Sequence, residues 1–328
     1  TYFADYQQVN HKLNELLIIN TMKVYKENKL RYFRWHWGDR YDAWRVRKVD
    51  PVFSVIPYFL RTRMDAQNYF EERIPIDNIE AFIREHKEEI PGLSLMHVVI
   101  AALVRLMSQR PNLNRFVMWN KIFARNYLNI SIAVKRTLSD EGEETLIKPY
   151  FLPTDTLYDV VKKIKKEQEE NQQVGQQNAS DMISKILGVL PDFMMRIVVF
   201  SLLWMDKVGL LPRFIEQASP WHCSFFLTNI GSIGVESIYH HLYEFGNCSI
   251  FVALGKKSQR HTVSRSGDVK PYKSILLKFV LDERICDGYY YASSMRTLAK
   301  IFQNPEQLLT PPEKVLVDEG VKWKRIDI

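Results

Sequence analysis

The sequence predicts an α/β fold, on three observations. The first is the stretch Leu276 to Tyr290, where an apolar strand runs into a tight acidic turn ending at Gly288. An amphipathic helix follows, with Met295, Leu298, Ala299 and Phe302 on one face. The second is a strong helical pattern, Leu95, Val98, Val99, Ala102, Leu103 and Leu106, succeeded beyond Pro111 by the strand pattern Asn129 to Val134. The third is a charged helix from Asp159 to about Asn171, with the strand patterns Ser224 to Asn229 and Ser249 to Gly255 further on. With 328 residues, 46% hydrophobic and 12% aromatic, the chain has enough apolar material for a substantial core.

In order, residues 10 to 29 show helical periodicity through Leu13, Leu16, Leu17, Asn20, Val24 and Tyr25, and read as an N-terminal extension (1–30). An aromatic and basic stretch, Arg31 to Arg47, opens the main body at 31–315. Val52 to Met64 is β-rich and reads as a strand. Ile76 to Glu88 reads as a helix with Asp77 in its first turn, and Ser94 is placed to cap the helix that follows it. His97, on the apolar side of that helix, reads as a core histidine rather than a ligand. Gln172 to Ser180 reads as a loop, His261 to Tyr272 as a basic hairpin, and 316–328 as a tail. From about 181 to 222 the chain is apolar almost all round, through Leu187, Phe193, Ile197, Phe200, Trp204, Leu210 and Phe214. Such a run demands cover. The body of the protein is the first candidate cover, then a subunit interface, then a peripheral membrane contact through 187–215.

The net charge of +7 suits anionic ligands and equally a solvated surface. Lys/Arg clusters such as Lys162 to Lys166 are interleaved with apolar residues or flanked by acids, which argues against nucleic acid. Cys223, Cys248 and Cys286 have no metal-ligand spacing and point to reduced thiols in a cytoplasmic protein. Cys286 beside the acidic turn is a weak nucleophile candidate, because apolar and acidic neighbours raise a thiol pKa. The longest apolar run, Phe193 to Met205, is too short to span a bilayer and contains Arg196.

Five stretches resemble the chloramphenicol-acetyltransferase-like acyltransferases, which include the catalytic domains of 2-oxoacid dehydrogenase acyltransferases. Asp287-Gly288 fit the end of that family's His-x-x-x-Asp-Gly signature. Asn129 to Val134 (Asn-Ile-Ser-Ile-Ala-Val) is similar to its central strand, and Ser224 to Gly234 (with Leu-Thr-Asn-Ile-Gly) to its Thr-Ile-Ser-Asn-Leu-Gly-x-x-Gly strand. Asn304 to Leu309 is similar to its closing Asp-Pro-Glu-x-Leu-Leu. Arg40 to Trp44 is similar to the family's opening arginine motif. The resemblance covers roughly residues 50–170 and 224–310. It implies a two-layer α/β sandwich with a mixed sheet packed on helices, homotrimers with sites between subunits, and coenzyme A or acyl-CoA as substrate without a metal.

The resemblance also implies roles. Thr228 would hydrogen-bond the oxyanion, Asp287 and Gly288 would hold the catalytic turn, and Arg40 would pair with Asp287. The family histidine is absent, and Glu283 stands in its place. Three readings follow: Glu283 is the general base; His240, His241 or His222 supplies the base; or the protein is an inactive homologue acting as a binding or scaffold subunit. Acyl transfer to a hydroxyl or amine, with Glu283 as base, is the preferred expectation.

Overall fold

The computed structural model describes residues 19–20, 22–135, 144–172, 188–323 and 325–326. A helical segment, α1, covers 22–28; the Leu13, Leu16 and Leu17 stripe lies outside the described residues. So does the predicted loop beyond Gln172, together with the first residues of the apolar run.

The organising element is a mixed sheet. Strands β5 (Leu128–Lys135), β8 (Phe225–Asn229) and β9 (Ile250–Leu254) run parallel to one another. The long β11 (Val269–Asp282) lies antiparallel to β9 and also pairs with β2 (Gln67–Pro75) and β10 (Ser258–Val263). Short strands β6 (Glu144–Ile147) and β7 (Tyr150–Phe151) pair with β5. A separate three-stranded sheet joins β1 (Ala43–Arg45), β4 (Lys121–Arg125) and β3 (Arg115–Met118).

Alternation along the strands assigns the two faces of the main sheet. Ile130, Ile132, Phe225, Leu227, Ile250, Val252, Leu277 and Phe279 point into the main core, where they meet Val99, Leu103 and Leu106 of α4 (Leu95–Gln109). Helices α3 (Asp77–His86), α5 (Leu157–Gln172) and α8 (Gly288–Gln303) complete this layer beside α4. The alternate residues Phe226, Phe251 and Val280 form a smaller cluster on the opposite face, with Cys223, Leu242 and Cys248. The fold is therefore a two-layer α/β sandwich.

Three local expectations are corrected. Pro51–Phe59 forms a helix, α2, not a strand. The Asp50 carboxylate accepts from the Val52 amide at 2.9 Å and Pro51 occupies the first turn, so a strong N-cap overrides the β-branched composition. Ser94 stands at the N-cap of α4, but its hydroxyl bonds the His97 ring at 2.8 Å instead of a backbone amide. Among the described residues of the apolar run, the long helix is not packed into the body of the chain, although Leu211 beyond it is buried. This helix, α6 (Asp192–Val208), buries only Asp206, and α7 (Arg213–Ala218) follows.

Candidate functional site

The turn after β11 is held from several sides. Asp282, fully buried, binds Arg284 through both oxygens, to Nε and Nη2 at 2.7 Å each. Arg284 also donates to the Leu60 carbonyl at 3.0 Å. Arg115, locked to Asp318 by two bonds of 2.6 Å, donates to the Ile285 carbonyl. The Tyr291 hydroxyl donates to the Asp282 carbonyl at 2.6 Å. Charge-assisted bonds at these lengths fix geometry strongly.

Glu283 is half-buried at the apex, and its carboxylate accepts from Asn68 Nδ2 at 2.7 Å. Asp287 caps α8, its carboxylate accepting from the Tyr290 amide at 2.7 Å. Gly288 opens the helix; a Cβ there would meet nothing within 4 Å, so no packing inside this chain requires glycine. Burial pushes the Cys286 thiol up to about 12, which leaves it protonated and unreactive near neutrality.

The expected pairing of Arg40 with Asp287 does not occur. Arg40 is buried and engages Asp42 at 2.8 Å and Asp206 at 3.2 Å, and its Nη1 donates to the Asp206 carbonyl. It therefore ties the foot of α6 to the body. The turn after β11 has its own arginines, Arg284 and Arg115. The Asp282-x-Arg284 spacing at the end of an apolar strand was a readable signal for the first. Nothing local marked Arg115 or Asn68.

Thr228 is half-buried at the C-terminal end of β8, on the face opposite the helices. The chain then turns through Ile230–Ile233. A Cβ on Gly231 would stand 2.4 Å from the Gly255 carbonyl oxygen, so only glycine permits the backbone after β8 to cross the end of β9. That crossing fixes Thr228 at the rim of the sheet.

Register separates the two halves. Thr228 is level with Ala253, and Ala253 with Lys278. Glu283 is five residues past Lys278 and its strand is two strands away from β8. At about 3.3 Å per residue and about 4.8 Å between strands, the two backbones are roughly 19 Å apart. Within one chain, Thr228 and Glu283 do not meet.

The three histidines differ sharply. His222 is buried, with Nδ1 2.9 Å from Ser219 Oγ and Nε2 3.3 Å from Asp206 Oδ2. Burial lowers its pKa, and the trio is a sealed structural link beneath Arg40 rather than an exposed relay. His241 is exposed. His240 lies flat on Phe251, ring centroids 4.1 Å apart and 5° from parallel, and Phe251 stacks on Phe226 at 4.7 Å. Phe226 precedes Thr228 by two residues on the same face, so His240 sits one side-chain row, roughly 7 Å, from the Thr228 row. Its Nδ1 is 2.9 Å from the His241 carbonyl, which assigns the proton to Nδ1 and leaves the Nε2 lone pair available.

Other features lie apart from these residues. Among the described residues, Glu85, His86 and Glu306 bring three ligand atoms within 4.8 Å, but both carboxylates are exposed. A groove of about 560 Å³, lined by Arg105, Arg110, Thr297, Glu313 and Lys314 among others, contains none of the sequence-predicted site residues. No helix among the described residues is long and apolar enough to cross a membrane.

Comparison with known proteins supports the same reading of the fold. Residues 221–310 match the family model for the 2-oxoacid dehydrogenases acyltransferase (catalytic domain). The structure is similar to the dihydrolipoamide acetyltransferase of Azotobacter vinelandii, solved to probe a serine, a histidine and an asparagine in its catalytic mechanism. The two share 15% identity over 79% of this chain and 88% of that one, with a TM-score of 0.52. A probable dihydrolipoamide acetyltransferase from Listeria monocytogenes 4b F2365 gives 12% identity over 78% and 92%, with a TM-score of 0.50. A search of curated proteins returned no match. The chain thus has the fold of the 2-oxoacid dehydrogenase acyltransferase catalytic domains, and the segment bearing Thr228, Glu283 and Asp287 matches that family's sequence model.

Proposed function

We propose that this protein transfers an acyl group from acyl-CoA, or from an acyl carrier, to a hydroxyl or amine, at a site completed between copies of the chain. One observation carries the proposal. Two rigid half-sites occupy the family-matched segment, Thr228 at the end of β8 and Glu283 on the braced turn after β11, in places that one chain cannot bring together. A homotrimer is the assembly we propose. In the Azotobacter protein the histidine and asparagine stand four residues apart, which is the spacing of Glu283 and Asp287.

In the reaction, the Glu283 carboxylate takes the proton of the acceptor as the acceptor attacks the thioester carbonyl. The hydroxyl of Thr228 from a neighbouring copy donates to the oxyanion. Collapse of the tetrahedral intermediate breaks the carbon–sulfur bond, and the proton on Glu283 leaves with the coenzyme A thiol. Asn68 orients the carboxylate throughout.

A second reading is favoured by the ring of His240, which lies on the Thr228 face with Nε2 free to accept a proton. Thiol release from acetyl-, hexanoyl- and palmitoyl-CoA, with hydroxyl and amine acceptors, tests both. Thr228→Val lowers the rate about 10²- to 10³-fold under either reading. A loss of about 10²- to 10⁴-fold in Glu283→Gln but not in His240→Asn supports the glutamate; the reverse assigns the histidine. Turnover unchanged in Thr228→Val defeats the proposal, and silence with every donor while coenzyme A binds by calorimetry supports a binding subunit.

A further inference from the structure

Helix α6 presents to solvent what helices ordinarily hide. Phe193, Ile197, Phe200 and Trp204 are 66%, 61%, 69% and 53% exposed. At 3.6 residues per turn they fall within an arc of about 60°, a stripe about 16 Å long. Arg196 and Lys207 both flank that arc on one side. Asp206 is the helix's buried acid, so Asp192 in the first turn is its one exposed carboxylate. The stripe extends at either end into exposed Val189, Leu210 and Phe214, and Arg213 is exposed beside Phe214. The single hydroxyl, Ser201, is turned back onto the Ile197 carbonyl at 2.8 Å and so needs no water.

We propose that α6 docks the protein in the plane of an anionic lipid surface, with the aromatic and aliphatic stripe among the acyl chains and Arg196, Lys207 and Arg213 at the headgroups. This does not depend on acyl transfer. An interfacial helix has this distribution of aromatic and basic side chains. The occupant is decided by charge. A second copy laid antiparallel on the stripe would bring the basic flanks of both chains together, whereas anionic headgroups complement them. The helix is also anchored for such a role. Its C-terminal turn closes at Gly209, in the left-handed region, with Gly209 and Leu210 amides returned to Asp206 and Met205 carbonyls. Asp206 accepts from Arg40 and from the Gly246 amide, just ahead of β9. The foot is thus fixed at the end of the sheet where β9 begins and β11 ends, which is the end bearing Glu283. Docking through α6 brings that end of the molecule towards the lipid.

The test is flotation of the full chain with vesicles of phosphatidylcholine alone or of equal parts phosphatidylcholine and phosphatidylglycerol, with sedimentation velocity run in parallel without lipid. The wild type floats with the mixed vesicles and much less with the neutral ones. Arg196→Gln with Lys207→Gln weakens that binding about thirtyfold, from the contribution of two surface cations. Phe200→Ser with Trp204→Ser abolishes it while the thermal midpoint stays nearly in place, since both side chains are mostly exposed. Lipids brominated on their acyl chains quench the wild type more than Trp204→Phe. Absence of flotation, or flotation undiminished in Phe200→Ser/Trp204→Ser, overturns the proposal. So does a wild-type oligomer that this pair dissociates while lipid binding is unchanged, which would give the face to a second copy.

Discussion

Helices α4 and α6 are similar in length and both strongly apolar, yet α4 buries twelve of its fifteen residues and α6 one of its seventeen. The difference lies in their surroundings. Helix α4 lies across the sheet, flanked by α3, α5 and α8, and its side chains meet those of β5, β8, β9 and β11. Helix α6 is tied at its foot through Asp206 and otherwise stands away from the core. An apolar helix requires cover, but its own sequence does not say whether the same chain supplies it.

The sharpest way to break this comparison is to attack the one buried residue of α6. Asp206→Ala deprives Arg40 of one of its two carboxylates and His222 of one of its two partners, both in the interior. Removing one member of a buried ion pair costs about 3 to 5 kcal/mol. Urea unfolding monitored by circular dichroism should show a loss of that order. A loss below about 1 kcal/mol would mean that the foot of α6 is not an anchor. Leu103→Ala, in the fully buried middle of α4, should cost about 2 to 5 kcal/mol through lost burial and a residual cavity. Together the two variants compare a helix held by packing with one held by charge.

A smaller effect separates the anchor by pH. Burial lowers the pKa of His222, so its contribution to stability is complete above the unfolded value of about 6.5 and declines as pH falls through that value towards the folded one. For Asp206, burial acts upwards, but His222, Arg40 and Arg63 outweigh it and hold the carboxyl well below the usual range. Its contribution is present above the unfolded value of about 3.9 and is lost only as pH falls through lower values. The His222 contribution alone should therefore be level above pH 7 and decline between about 6.5 and 5 by at most about 1.4 kcal/mol per pH unit, while the buried carboxyls of Glu216 and Glu167, raised by burial to about 8 and about 7, act in the opposite sense there. His97, also lowered by burial, adds to the same window. The difference in slope between wild type and His222→Gln reads the His222 share; an unaltered slope would assign the histidine contribution to His97.

Much of the fold was legible because alternation and helical periodicity report burial against the chain's own core. Strands β5, β8, β9 and β11 and helices α3, α4, α5 and α8 lie where such patterns placed them. Pattern misled at α2, whose Val52, Val55, Tyr58 and Phe59 are exposed and whose helix is set by Asp50 and Pro51 instead. The site was readable as residue types but not as geometry. Thr228 and Glu283 belong to one matched segment, yet their separation is a matter of strand order, which no local spacing contains. Arg40 was assigned to the wrong carboxylate: it binds Asp42, two residues on within its own motif, and Asp206, 166 residues away in a segment the motifs do not cover.

The smallest expected effect is the most informative about α6. Phe200→Ser replaces a large apolar side chain that is mostly in water in the single chain. Substitutions at such positions usually change stability by no more than about 0.5 kcal/mol, against the several expected for Leu103→Ala. The measurement is the same urea titration, repeated at two protein concentrations. A change near zero at both concentrations leaves the stripe bare in solution and available to a lipid surface. A loss above about 1.5 kcal/mol that grows with protein concentration would mean that wild-type copies cover one another's stripes, because mass action then adds association free energy to the folding free energy. In that case α4 and α6 would differ only in which copy of the chain supplies their cover.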